Sequence, residues 1–439
     1  MAQMAPAALA PQGSAPAQPQ QTFPLVVITV LFFMWGLLTS LNDVLIPHLK
    51  SVYTLNYVQA MLVQLCFFGA YFIVSLPAGA LIRRIGYQRG AVAGLVVAAA
   101  GCALFYPAAT HGYGLFLFAF FVLAAGITVL QVAANPFVTV LGPPATASSR
   151  LTLTQAFNSL GTTIAPALGG LLILQGMPAA VDAARLAGDA LARYRLQEAA
   201  AVQGPYLALA ATLLVLAVLF ALVRLPVIGQ SGAVPQAGRT AILAHRHLVL
   251  GTVGIFLYVG GEVAIGSFLI NFIGEPQIAG LDHGAAANYV SYYWGGAMIG
   301  RFVGFAVMRR VSPGKALACN AAASIVLLLV AIFGSGAVAM WALIAVGLFN
   351  SIMFPTIFSM ALYRLGAQTG QASGILCMAI VGGAIVPFVQ GALADAVGLQ
   401  WSFVVPAACY VFILYFGIRY ARLYVDNQDI DHQDIASQQ

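Results

Sequence analysis

The sequence predicts an all-α membrane protein of twelve transmembrane helices in two six-helix halves. Three observations predict it. Of 439 residues, 61% are hydrophobic and only 7% charged, whereas a water-facing globular surface draws on roughly a quarter charged residues. The apolar residues come in blocks of about 20, the length a helix needs to cross about 30 Å of hydrocarbon. Lysine and arginine then fall mostly between alternate blocks, on one side of the bilayer. Backbone in lipid must satisfy its own hydrogen bonds, so the blocks are helices. The period-two alternation of barrel strands is missing.

Residues 1–22, rich in Ala, Pro and Gln and without a charge, read as a disordered tail. No basic segment leads into a short apolar run, so they do not read as a signal peptide. The first span covers 23–47 and stops at Pro47, before His48 and Lys50. The second, 58–82, runs into Arg83 and Arg84; the third, 91–107, starts after Arg89 and ends at Pro107. The fourth covers 114–141 and the fifth 151–175. A polar stretch with Asp182, Arg185, Asp189, Arg193, Arg195 and Glu198 precedes the sixth, 206–223. The linker 224–247 contains Pro226, Gly229, Gly232, Pro235 and Gly238, residues that break helices. Spans at 248–273, 286–308, 316–333, 338–363, 371–397 and 402–419 follow, and 423–439 is an acidic tail with Asp426, Asp429, Asp431 and Asp434.

The linker divides the chain into a half at 23–223 and a half at 248–422, the layout of transporters built from two six-helix units. An internal echo supports duplication. Gly79 to Gly90 carries Arg83, Arg84 and Arg89 between spans 2 and 3, and Gly300 to Lys315 carries Arg309 and Arg310 between spans 8 and 9. On this count one side holds Arg83, Arg84, Arg89, Arg150, Arg224, Arg239, Arg246, Arg309, Arg310, Lys315, Arg364, Arg419 and Arg422. The other holds only Lys50, Arg185, Arg193 and Arg195, with Arg301 inside span 8. The positive-inside rule puts the first set, the linker and both termini in the cytoplasm. The net charge of +6 thus sets topology and is not a nucleic-acid signal. Cys66, Cys102, Cys319, Cys377 and Cys409 lie in apolar blocks without metal-ligand spacing and read as small hydrophobes.

Ionisable groups at mid-bilayer are costly and mark function by default. Asp43 in span 1 and Glu262 in span 7 occupy the first helix of each half; Asp395 lies near the end of span 11. Asp43 reads either as a proton carrier facing a cavity or as a water-exposed acid at the outer helix end, beside His48 and Lys50. Glu262 follows Gly260 and Gly261 and shares its span with Tyr258, Ser267 and Asn271. It reads either as a sugar- or ion-binding carboxylate or as the partner of Arg301. Gln131 and Asn135 in span 4, Gln155 and Asn158 in span 5, and Asn271, Asn288, Tyr292, Tyr293, Trp294, Asn350 and Gln390 in the other half supply amides and aromatics. Amides bond hydroxyls and aromatic faces cover the apolar face of a sugar ring, although the same residues also bond helix to helix. Glycines and prolines in spans 5 and 11 (Gly161, Pro166, Gly382, Gly383, Pro387) permit close packing and bending.

Four segments carry a resemblance: Leu41-Asn42-Asp43-Val44-Leu45-Ile46-Pro47, Gln131 through Asn135-Pro136-Phe137 to Pro143, Gln155-Ala156-Phe157-Asn158-Ser159-Leu160-Gly161, and Phe354-Pro355-Thr356-Ile357-Phe358-Ser359. Together they resemble the fucose–glucose/galactose–proton symporter family, a branch of the major facilitator superfamily, over the whole membrane domain and outside the two tails. The resemblance implies the major facilitator fold, rocker-switch import of a hexose with a cation, and proton coupling at Asp43. It implies sugar contacts at Gln155 and Asn158, with Asn42, Gln131, Asn135, Glu262, Asn271 and Tyr292 as further candidates. The fucose branch has a glutamate where this chain has Gln131, which cannot titrate. Gln131 with Gly260-Gly261-Glu262-Val263-Ala264-Ile265-Gly266-Ser267-Phe268 looks more like the glucose/galactose branch. Permeases for N-acetylglucosamine or L-fucose and a sodium-coupled symporter are the alternatives. The superfamily's acid near the end of span 2 is Arg83 here. No HExxH, Gly-x-Ser-x-Gly or Walker motif is present, so neither an enzyme nor an ATP-driven pump is expected, and no cofactor. The expected setting is the bacterial inner membrane, as a monomer.

Overall fold

The computed structural model describes residues 22–53, 57–172, 188–226 and 242–423. Among them every regular element is helical. The first half holds α1 (Thr22–Tyr53), α2 (Tyr57–Ile85), α3 (Tyr87–His111), α4 (Tyr113–Val140), α5 (Ala147–Leu172) and α6 (Asp189–Leu222). The second holds α7 (Arg246–Gly274), α8 (His283–Val307), α9 (Pro313–Phe333), α10 (Gly336–Asn350) and α11 (Met353–Ala361), then α12 (Thr369–Met378), α13 (Gly382–Val397), α14 (Leu399–Ser402) and α15 (Val404–Arg419). α10 with α11, α12 with α13, and α14 with α15 form the tenth, eleventh and twelfth spans. Single residues join α2 to α3 and α3 to α4. Both are glycines, Gly86 and Gly112, at φ 86° and 100°, where a side chain would be strained. α8 and α9 start on side-chain caps: Asp282 accepts from the amides of Gly284 and Ala285 at 2.9 and 3.0 Å, and Ser312 precedes Pro313 at the first helical position.

Ten stretches of described helix are long and apolar enough to cross a membrane. α5 and α8 fall short of that measure because they carry the polar residues. They are the two helices that lipid would penalise most, and they pack on each other at the centre of the bundle. Phe157 meets Phe302 edge-on at 5.8 Å, and Ser148, Ser149, Thr152 and Thr154 of α5 are buried.

The sequence predicts single helices for spans 10 and 11, but both are broken. The tenth turns at Ser351–Ile352, and the eleventh passes through a 3-10 turn at Ala379–Val381. Pro355 explains the first break, since proline has no N–H to give the carbonyl four residues back, here Ser351. That carbonyl accepts instead from Arg301 Nε at 3.2 Å. The same substitution recurs twice. Pro166 leaves the carbonyl of Thr162, which accepts from Ser40 Oγ at 3.2 Å; Pro136 leaves that of Val132, which accepts from Ser373 Oγ at 2.9 Å.

The two halves meet chiefly toward the end of the bundle that carries the basic loops. There Ser148 and Ser359 hydroxyls lie 2.6 Å apart, Ser149 Oγ donates to the Phe305 carbonyl at 2.9 Å, and Arg83 donates to Gln371 at 3.4 Å. Gly79 of α2 faces Gly370 and Gly374 of α12 so closely that an added Cβ would stand 2.9 Å from the Gly370 carbonyl. Arg150, counted by the sequence among loop charges, is fully buried. Its guanidinium donates to the carbonyls of Val138, Thr139, Gly142 and Pro143 and to Thr146 Oγ1, closing the C-terminal end of α4.

Candidate functional site

The site is built around α5, whose successive side chains reach three neighbours. Asn158 Nδ2 donates to the Phe32 carbonyl of α1 at 2.9 Å. This contact needs the two helices to touch, and glycines allow it. A Cβ on Gly36 would come 2.2 Å from the Asn158 carbonyl, and one on Gly161 would come 2.3 Å from the Phe33 carbonyl. Gln155 Nε2 reaches Asn135 Oδ1 of α4 at 3.4 Å, in a buried amide pair. Ser159 points to the other half, where its hydroxyl accepts from Arg301.

Beside Asn158 lies a cavity of about 180 Å³ between α1, α2, α4 and α5. Trp35, Thr39, Tyr71, Gln131 and Asn158 give it polar and aromatic walls; Phe67 and Phe120 close its apolar side. Gln131 Nε2 donates to Tyr71 Oη at 2.5 Å, which aims the amide and leaves its carbonyl to accept. The Asn135–Gln155 pair sits one turn further toward the basic end, and Asn135 Nδ2 has no hydrogen-bond partner among the described residues.

Across the bundle, Glu262 of α7 and Arg301 of α8 form an ion pair at 3.9 Å, with 13% and 15% of the side chains exposed. Among the described residues it is the one ion pair within the membrane helices. Arg301 is therefore held at three points: Glu262, the carbonyl freed by Pro355, and Ser159 of the opposite half. Behind it, Asn350 Nδ2 donates to the hydroxyls of Tyr293 and Tyr410 at 2.8 and 3.5 Å, and Tyr293 donates to the Glu262 carbonyl at 3.4 Å. This arrangement fixes charge and hydrogen-bond donors beside a polar cavity, and it contains no nucleophile–base pair. No group of His, Cys, Asp and Glu that could hold a metal occurs among the described residues.

The structure gathers Gln131, Asn135, Gln155 and Asn158 into one half and Glu262 into the other. It separates two candidates from them. Asn271 stands nine residues beyond Glu262, half a turn round α7. Tyr292 is 58% exposed and packs on Tyr289 and Trp341 at 5.9 and 5.7 Å. It lies nine residues before Arg301, on the opposite face of α8. Trp294, seven residues before Arg301, shares its face and touches Gly266 of α7. The side chains of Asn42 and Asp43 lie outside the described residues. Sequence reasoning missed Trp35 and Thr39, although 35, 39 and 42 recur at i, i+4 and i+7 of one helix. It also missed Tyr71, for which no signal exists in the chain.

The sequence profile of the Major Facilitator Superfamily matches residues 27–380. The chain belongs to the Major Facilitator Superfamily. Within that superfamily it is 57% identical over 404 residues to the glucose/galactose transporter of Brucella abortus, covering 92% of this chain and 95% of that one. It is 37% identical to the L-fucose–proton symporter of Escherichia coli over 403 residues, 90% of this chain and 92% of that one. A crystal structure of a superfamily transporter, FucP, in the outward conformation superimposes with a TM-score of 0.86 at 37% identity, covering 91% of this chain and 98% of that chain. The superfamily membership makes the chain a multi-pass membrane transporter and not an enzyme.

Proposed function

We propose that the chain imports glucose and galactose together with a proton, by alternating access of its two halves about the cavity at Trp35, Tyr71, Gln131 and Asn158. That cavity carries the reading, in a chain so similar to a glucose/galactose transporter. Asn158 and Gln131 present amides to sugar hydroxyls, Trp35 offers a ring face, and the Asn135–Gln155 pair closes the floor. Asp43, four residues after Thr39 in the sequence of α1, serves as the proton carrier. Gln131 stands where the fucose branch has an acid, so a single carboxylate of the first half carries the coupling. Glu262 acts with Arg301 as a fixed pair beside the sugar. Asn42 adds a further contact from α1, while Asn271 and Tyr292 contribute outside the cavity. The transporter works as a monomer in the bacterial inner membrane with both termini and the basic loops in the cytoplasm, a reading in which the contacts at the basic end close the cytoplasmic side.

The test is D-glucose uptake into proteoliposomes under an inward proton gradient and, separately, an inward sodium gradient. Galactose, N-acetylglucosamine and L-fucose serve as competitors. Accumulation under the proton gradient, blocked by galactose, is expected. Accumulation under sodium alone would overturn the coupling ion, and no glucose uptake under either gradient would overturn the substrate.

A further inference from the structure

Two grooves on the outer wall of the bundle, away from the sugar path, share an unusual composition. The first, of about 480 Å³, lies where the start of α3 meets the end of α6. Gln88, Arg89 and Arg224 form its head, and Val92, Leu222 and Leu225 its apolar wall. The second, of about 360 Å³, lies where the start of α7 meets the end of α15. Arg246, Arg419 and Tyr415 form its head, and Leu243, Val249 and Leu250 its wall. Each groove thus pairs two arginines with apolar side chains, and neither contains an acid. The four guanidiniums are exposed, and among the described residues none makes an ion pair or a hydrogen bond.

The heads are built, not merely adjacent. Gln88 Nε2 donates to the carbonyls of Phe220 and Val223 at 2.8 and 2.6 Å, which ties the start of α3 to the end of α6 and fixes Arg89 against Arg224. On the other side a Cβ on Gly251 of α7 would stand 3.6 Å from the Phe416 ring of α15, and His247 bonds the Tyr363 carbonyl at 3.0 Å, which ties the start of α7 to the residues that follow α11. Beyond each head the helices present exposed apolar side chains to the hydrocarbon, with Val218, Leu219 and Leu222 on α6, and Val411, Tyr415 and Ile418 on α15.

We propose that both grooves bind the headgroup of an anionic phospholipid of the inner leaflet. A phosphodiester matches paired guanidiniums, which bond phosphate oxygens in a fork. Basic pockets between membrane helices at the cytoplasmic face take such headgroups. The apolar walls continue along the acyl chains, which a soluble anion would leave uncovered. Tyr415 sits at the level where aromatic hydroxyls meet the headgroups. The grooves stand at the two ends of the linker, so each lipid would brace one half where the linker leaves or enters it. The inference is independent of which sugar is carried.

The test uses the full-length protein in detergent, titrated with dioleoyl phosphatidylglycerol and, in parallel, dioleoyl phosphatidylcholine, with bound lipids counted by native mass spectrometry. The expected result is two phosphatidylglycerol molecules retained under conditions that strip phosphatidylcholine. Arg89→Gln with Arg224→Gln should remove one and Arg246→Gln with Arg419→Gln the other, each with about 10- to 30-fold weaker retention. Arg→Lys at the same positions keeps the charge but not the fork and should restore part of it, which separates binding from misfolding. Arg309→Gln with Arg310→Gln, on the same face outside the grooves, should change nothing. Equal retention of the two lipids would overturn the proposal. So would full retention by the fourfold Gln variant, an equal loss in the Arg309/Arg310 variant, or displacement of the lipid by inorganic phosphate with equal occupancy.

Discussion

Replacing Arg301 by Gln removes more than one partner of Glu262, and the structure fixes how much more. Glu262 stays in place, 13% exposed, with no charge to face. Breaking a buried pair by removing one partner costs about 3–5 kcal/mol. At 3.9 Å, beyond hydrogen-bond length, the lower end applies. The carbonyl freed by Pro355 loses its charge-assisted bond from Arg301, about 1.5 kcal/mol at the low end for a bond to a charged group. The sum is about 4–5 kcal/mol. Replacing Glu262 by Gln is milder, because Arg301 keeps its bonds to Ser351 and Ser159 and loses only a long ion pair; about 1–2 kcal/mol is expected. The double variant should cost at least about 1 kcal/mol less than the two singles added, since neither charge is then left alone. Unfolding of the purified protein by dodecyl sulfate in mixed micelles measures all three. Equal costs for the two single variants, or additivity within about 0.5 kcal/mol, would show that Arg301 is not held at three points.

Four further outcomes are expected. Asn158→Ala removes an amide of the cavity and its bond to the Phe32 carbonyl; initial uptake rates should show KM for glucose raised about tenfold, the worth of one hydrogen bond. Asp43→Asn should abolish gradient-driven accumulation while leaving counterflow exchange of sugar, measured on the same proteoliposomes. Gly161→Val forces a Cβ to 2.3 Å from the Phe33 carbonyl, so α1 and α5 part; fluorescence-detected gel filtration should show aggregation, consistent with overpacking of about 3 kcal/mol or more. Arg150→Ala takes the guanidinium away from the carbonyls of Val138, Thr139 and Gly142, while Pro143 keeps Thr146 as a donor, and thermal unfolding should register a loss of about 3 kcal/mol or more.

The fold was readable because lipid is a demanding solvent. Blocks of apolar residues set the helices, and Lys and Arg set the sides. What the chain does not display is which face of a polar helix meets a partner. Tyr292, Tyr293 and Trp294 are neighbours in sequence, yet only a rotation of about 100° per residue sends the first outward, the second to Asn350 and the third to Gly266. Glu262 and Arg301 were legible as a possible pair from their charges alone. The third partner of Arg301, Ser159, lies 142 residues away in the other half and leaves no periodic trace. The break in the tenth span was hidden for a related reason. Pro355 was visible, but whether it kinks or ends a helix depends on who takes the carbonyl it frees, and the answer, Arg301, is 50 residues upstream of Ser351.

The contacts that close the basic end are hydroxyls on carbonyls, hydroxyl on hydroxyl, and an arginine on an amide. Among the described residues no ion pair crosses between the halves there, and Arg83 stands where an acid is usual. Each such bond exchanges with water at a net of about 1 kcal/mol. The carbonyl that Ser373 serves in place of the missing proline N–H is already independent of the helix ladder, so water can take it over without unwinding α4. Screening by salt acts on charge pairs and hardly on neutral ones. The rate at which this transporter turns from one face of the membrane to the other should therefore be nearly indifferent to ionic strength.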